Sequence, residues 1–344
     1  MTPIARFHRA GFAAAWLAAA LWLGLTPSPA NADADKGAAD ATSIRYLNGH
    51  GQVTAFEIAS ALGWLQEKGI AIVSQGYSQG GPESLVAMAS GSVDIAGAAT
   101  PAIINAIAGG AQIVGVMPDG GVSDAVNSKF YVLADSPIRT AADLKDKSVA
   151  VNTLGAHLDY VIREYLRRNG LGEHDVQLIA VPGPQLELIL RHKQADVVAL
   201  GAWQSTFAGK IDAAGGVRVL FTDYDVLGPI VLGIDAMKKS FIEQHSQAIK
   251  DFVGVTVRAV DWSAEHPDDA RKLVADILDK RGENPELAQY WRGFGLRQHA
   301  LFTDHDTQFW IDALIREGRV KPGQLVPEDV ATNRYNELAH LAQQ

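Results

Sequence analysis

The sequence predicts a two-lobed α/β protein: each lobe a mostly parallel sheet flanked by helices, with a helical C-terminal region packed back on the first lobe. Three observations lead there. Strand, glycine loop and helix alternate from residue 44, the alternation restarts near residue 130, and from Lys239 onward the pattern is mainly helical. Right-handed crossovers then place the connecting helices on both faces of each sheet. The expected lobe boundaries are 33–132 together with 226–344 for lobe one, and 133–225 for lobe two. Some 310 residues of this composition suffice, in order-of-magnitude terms, for two separate cores.

In the first lobe, Ile44 to Leu47 reads as a strand, Asn48-Gly49-His50-Gly51-Gln52 as a glycine loop, and Val53, Phe56, Ala59 and Leu62 as one apolar helix face. The second unit starts at Ile70–Val73, loops through Gly76 to Gly81, and enters a helix with Pro82 at its start and Gly91 just past its end. The third runs from Val93–Ala96 to Thr100, an N-cap candidate, with Pro101 opening a helix; a strand at Ile113–Val116 follows.

The second lobe begins with a strand at Phe130–Ala134. Thr140-Ala141-Ala142-Asp143 is a helix-start box, and Ser148–Val151 is a strand entering the loop Asn152 to His157. Then come a helix at Leu158–Arg168, a strand at Val176–Ala180, a helix at Gln185–His192, and strands at Val197–Leu200 and Val217–Phe221. The tail contributes helices over Ala248–Ala264, Asp268–Asp279 and Thr307–Glu317.

Residues 1–32 read as a cleavable signal peptide. Arg6 and Arg9 precede an apolar run from Ala10 to Leu25, and prolines and Ala30-Asn31-Ala32 close the segment. Removing both arginines with it lowers the formal net charge of −9 by two, to −11, which disfavours a nucleic-acid partner. The cysteine count of 0 excludes a disulfide framework, a thiolate metal site, a cysteine nucleophile and the lipidated cysteine of a lipoprotein. A freely diffusing monomer in the periplasm is the expectation, with neither a metal nor a cofactor.

Several runs resemble one family. Gly91-Ser-Val-Asp-Ile-Ala96, Thr100-Pro101 and Ile107-Ala-Gly-Gly-Ala-Gln-Ile113 are similar to the periplasmic receptors for aliphatic sulfonates, taurine and nitrate. The stretch from Ala134 through Ser136-Pro137 and Ala141-Ala142-Asp143-Leu144 to Val151 resembles that family's segment between the lobes. Asn152 to His157, Gln194-Ala-Asp196 and Gly215 to Leu220 follow in order. The resemblance implies a type II periplasmic binding fold and the solute-binding component of an ABC importer, which delivers a small organic, sulfonate-like anion to an inner-membrane permease and its ATPase. One departure stands out: where relatives often carry an aromatic-x-Pro stretch after the strand ending at Leu200, this chain has Gly201-Ala202-Trp203-Gln204. The missing bulk at Gly201 suggests a reshaped pocket.

In such sheets the loops at the carboxyl ends of strands converge on one crevice, where helix N-termini offer unpaired N–H groups. The expected ligand-binding residues are His50, Gln52, Ser78, Gln79, Gly80, Thr100, Thr153, Gly155, His157, Trp203 and Gln204. Helix-terminus donors with Thr100, Thr153 and a histidine suit an ionised sulfonate or nitrate. A carboxylate or a neutral aromatic with polar edges fits nearly as well, because these loops hold no Arg or Lys. Each residue also has a local role open to it: capping for Thr100, turn stabilisation for Ser78 and Gln79, core packing for Trp203, local bonding for the histidines.

An enzyme is the sharpest alternative. Gly76-Tyr77-Ser78-Gln79-Gly80 matches the G-x-S-x-G nucleophile elbow, and Asp304-His305-Asp306 offers downstream triad partners. Only one strand precedes Ile70, too few to make Ser78's strand central as that fold requires, so no catalytic residue is expected. A sensory ligand-binding protein is the other alternative.

Overall fold

The computed structural model describes residues 41–343; the proposed signal peptide lies outside them. Strand β1 (Thr42–Gly49) is followed by α1 (Ala55–Ala61) and a parallel partner, β2 (Ile70–Ser78). The α1 terminus is set by a reciprocal cap in which Thr54 N donates to Glu57 Oε2 and Glu57 N donates to Thr54 Oγ1. Next come α2 (Gly81–Ser90), β3 (Ile95–Ala99), α3 (Thr100–Ala108) and β4 (Ile113–Val122). Gly91 ends α2 with a φ of 84°, a left-handed turn that a side chain would strain.

The chain then crosses into a five-stranded sheet ordered β7-β6-β8-β5-β9. Its strands are β5 (Lys129–Leu133), β6 (Lys147–Val151), β7 (Val176–Ala180), β8 (Val197–Leu200) and β9 (Val217–Thr222). Helices α4 (His157–Arg168), α5 (Leu186–Arg191) and α6 (Ser205–Ala214) connect them, and α7 (Asp223–Leu227) leads out. Along β5 the side chains alternate: Phe130 and Val132 enter one core, Tyr131 and Leu133 another, so the sheet is buried on both faces.

The chain returns through β10 (Ile230–Lys238), which inserts between β3 and β4. Helices α8 (Lys239–Gln244), α9 (Ser246–Glu265), α10 (Pro267–Lys280), α11 (Asp304–Arg316) and α12 (Pro327–Val330) complete the described residues. The α9 face bearing Ile249, Phe252, Val253 and Val257 shares a core with Ile44, Phe56 and Ile58 of β1 and α1. Trp310, Ile311 and Leu314 of α11 pack with Ile103 and Ile104 of α3. The helical tail therefore covers the first lobe, as the sequence suggests.

The parallel expectation has one exception per lobe. β10 runs antiparallel to β3 and β4, and β5 antiparallel to β8 and β9. Each is reached from the opposite sheet by a short link, which for β10 holds only the five-residue α7, and not by a crossover within its own sheet, so nothing constrains it to run parallel. Two strands are also longer than their apolar periodicity suggests. β2 continues past Val73 because, after a bulge of its own between Ser74 and Tyr77, pairing resumes at Asn48 with Tyr77 and Gly49 with Ser78. β4 continues past Val116 along β10. No helix among the described residues is long and apolar enough to cross a membrane.

Candidate functional site: a cavity between the lobes

Loops from both lobes enclose a cavity of about 970 Å³, counting its open mouth. On the first-lobe side the β1–α1 loop is held from outside. Arg281 Nη2 donates to Gln52 O at 2.6 Å, Gly51 N donates to Glu283 Oε2 at 2.6 Å, and the His50 ring stacks on Tyr77 with centroids 4.2 Å apart. Arg281 and Glu283 carry no motif, and sequence reasoning misses their role; an Arg-x-Glu just past a helix end is the only signal they leave.

On the second-lobe side a buried relay fixes the wall. His157 Nε2 lies 2.8 Å from Asp223 Oδ2, Asp223 Oδ1 accepts from Ser128 N, and Ser128 Oγ accepts from Ala202 N. Ser128, Asp223 and His157 are all buried, and they lie at the two chain crossings and the start of α4. The relay orients the segment bearing Trp203, whose ring stands edge-on to His157. A β-carbon on Gly201 would collide with that ring, so Trp203 itself occupies the room the missing bulk at Gly201 leaves.

Two hydrogen bonds close the lobes over the cavity: Asn152 Nδ2 to Gln79 O at 3.1 Å, and Thr206 Oγ1 to Gly51 O at 2.9 Å. The close approach explains Gly80, since a β-carbon there would stand 2.7 Å from Thr153 Cγ2.

Of the residues singled out from the sequence, His50, Gln52, Ser78, Gln79, Gly80, His157, Trp203 and Gln204 line the cavity, while Thr100, Thr153 and Gly155 do not. Thr100 is not the N-cap either. Ala99 already has extended ψ, α3 starts at Thr100, and its fully buried hydroxyl donates to Val231 O of β10 at 3.3 Å. Gly155 takes a φ of 72° and its N–H donates to Asp159, making the turn into α4. The Thr153 methyl meets Gly80 at the seam between the lobes.

The largest omission from the sequence reading is the floor. Asp119 of β4 and Asp235 of β10 line the cavity, and no Lys or Arg does. Burial, reinforced by the charge of Glu57, pushes the Asp119 carboxyl up to about 6. Burial and the neighbouring Asp119 raise Asp235 well above the ordinary range.

Ser78 does not make a hydrolase site. It ends a strand of a two-stranded sheet, and its Oγ accepts from Ser84 Oγ at 3.1 Å. Among the described residues no histidine bonds to it. Asp306 is committed elsewhere, accepting from Arg297, Thr303 N and Val231 N. No group of three or more His, Cys, Asp or Glu among the described residues is placed to hold a metal ion.

Residues 50–270 match the model of the NMT1/THI5 like family. The chain belongs to that family. The NMT1/THI5-like chain shares its fold with solved structures of low identity. The alkanesulfonate-binding protein SsuA from Xanthomonas axonopodis pv. citri, bound to MOPS, matches at 17% identity and a TM-score of 0.66, covering 86% of this chain and 99% of that one. The periplasmic nitrate-binding protein NrtA from Synechocystis PCC 6803 matches at 16% identity and 0.66, covering 89% and 90%. The desulfurization enzyme DSZB matches at 14% and 0.61, covering 88% and 100%. These likenesses establish the two-lobed α/β binding fold, which in these neighbours serves both capture and catalysis. No curated protein matches the sequence.

Proposed function

We propose that this NMT1/THI5-like protein is the periplasmic solute-binding component of an ABC-type importer: it captures a small organic molecule between its lobes and presents the closed form to an inner-membrane permease. The observation that carries this is the cavity itself, lined by loops of both lobes and bridged across its mouth by Asn152 to Gln79 and Thr206 to Gly51. A ligand that touches both sides stabilises the closed arrangement by its extra contacts there. The links 123–128 and 223–229 are where the lobes hinge, and the protein acts as a soluble monomer exported by its leader.

Binding without turnover is the reading favoured over hydrolysis, because Ser78 has a serine partner and, among the described residues, no base. Differential scanning fluorimetry against organic cations, neutral amides, sulfonates and nitrate tests it. A true ligand at 100 times its dissociation constant raises stability by ~2.7 kcal/mol, and small-angle scattering then shows contraction. Ester turnover lost in Ser78→Ala would overturn the assignment.

A further inference from the structure

The cavity floor carries two carboxylates and nothing positive to meet them. Asp235 is only 3% exposed and lines the cavity, yet among the described residues its carboxylate has no hydrogen-bond donor. Asp119 Oδ2 and Asp235 Oδ1 both come within 3.1 Å of the point where a β-carbon on Gly97 would stand. Glycine at 97 leaves that point open, and Gly233 does the same on the β10 side, where a β-carbon would sit 3.4 Å from Asp119 Oδ2. A third acceptor joins them: Asn152 Oδ1 is buried on the same cavity without a partner.

An unpaired buried carboxylate is unfavourable for folding, and other buried acids in this chain are met by donors. A pair that meets no donor among the described residues, and faces a space cleared by glycines, is matched to donors that arrive from outside. We propose that the cavity takes a small organic cation, an ammonium or amidinium group on an aromatic or aliphatic body, whose N–H donors meet Asp119 and Asp235 while Trp203 covers the apolar part. The chemistry is that of charge-assisted hydrogen bonds at buried carboxylates. A sulfonate seated at the same floor would add negative charge beside two acids that already repel each other's ionisation, with no lining Lys or Arg to offset it. This inference rests on the solute-binding reading and departs from the anionic class that the sequence suggests.

Isothermal titration calorimetry on the purified protein tests it with three matched series. Benzylammonium, benzamidinium and agmatine are the cations, benzyl alcohol and benzamide the neutral counterparts, and benzenesulfonate and ethanesulfonate the anions. At least one cation is expected to bind tenfold or more tighter than every neutral or anionic member. Asp119→Asn and Asp235→Asn should each weaken that cation at least tenfold while the circular dichroism spectrum stays unchanged. Tighter binding of a sulfonate or a neutral member overturns the inference and leaves solute capture standing, as does cation affinity unaltered in both variants. Silence across all three series counts against solute capture itself, and the inference falls with it.

Discussion

Strand β10 reaches two buried aspartates that live in opposite circumstances. At its first turn of pairing, Val231 N donates to Asp306, a fully buried carboxylate that also accepts from Arg297 and Thr303. Burial pushes that acid up, but the Arg297 guanidinium and the backbone donors outweigh it and hold Asp306 below the ordinary range. Four residues after Val231, Asp235 is buried almost as deeply with no donor among the described residues, and its proton affinity is raised. One carboxylate ties α11 to the sheet; the other is left for something the protein does not contain. Depth of burial is similar, so the difference lies in the partners.

The largest expected effect tests the satisfied member. Asp306→Ala removes the hydrogen bonds that join Arg297, the α11 cap and β10, and should destabilise the protein by about 2–4 kcal/mol, read as the urea midpoint at constant slope. A loss below about 1 kcal/mol would erase the contrast.

Asp235→Asn should act in the opposite direction. By removing a buried like-charge neighbour of Asp119 it should stabilise the ligand-free protein at pH 7, on the order of 1–3 kcal/mol, seen as a higher melting temperature. A variant that melts lower than the parent would mean the carboxylate has an unseen structural partner.

The pH dependence sharpens the same point. A carboxyl whose folded pKa is raised contributes stability below its unfolded pKa of roughly 3.9, and that contribution is lost as pH rises through the folded value. Asp119, at about 6, places the loss between roughly pH 4 and pH 6–7. The groups facing the pair are Glu57 from α1 and, beside it, Tyr46 and Arg281. Carboxylates held low, Asp306 and Glu164 among them, lose stability in the other direction as pH falls, so the readout is the difference between parent and Asp235→Asn. That difference should shrink on going from pH 7 to pH 4.

The smallest effect concerns Thr100. Because its hydroxyl bonds Val231 O and does not line the cavity, Thr100→Ala should cost about 1 kcal/mol of stability and change ligand affinity less than twofold. A larger affinity change would place Thr100 on the ligand after all.

Much of this arrangement is legible in the amino-acid order. Strand ends announced by Gly49, Gly80 and the Asn152–His157 loop point to residues that do face the cavity, because loops at carboxyl ends of strands converge whatever their exact length. Thr100 departs from the expectation for a local reason: a Thr-Pro pair reads as cap and first helical residue, whereas here Ala99 takes the cap position without a side-chain bond and the threonine turns toward β10. Asp119 and Asp235 left no pattern at all. Each is a lone acid in an apolar run, after Met117-Pro118 in one case and Gly233-Ile234 in the other, and β10 as a whole is apolar at nearly every position, without the alternation that marks a half-exposed strand. Only the pairing of β10 with β4 brings the two acids together, and that pairing is non-local. The signal available in retrospect is an aspartate inside a run that must be buried.

The carboxyl carbon shifts of Asp119, Asp235 and Asp306, followed by NMR against pH in the ligand-free protein, test the contrast at its root. Asp306 should titrate below ordinary aspartates, whereas Asp119 should titrate near 6 and Asp235 well above the ordinary range. Ordinary titration of both floor residues would show that they already have donors, and the contrast along β10 would be void.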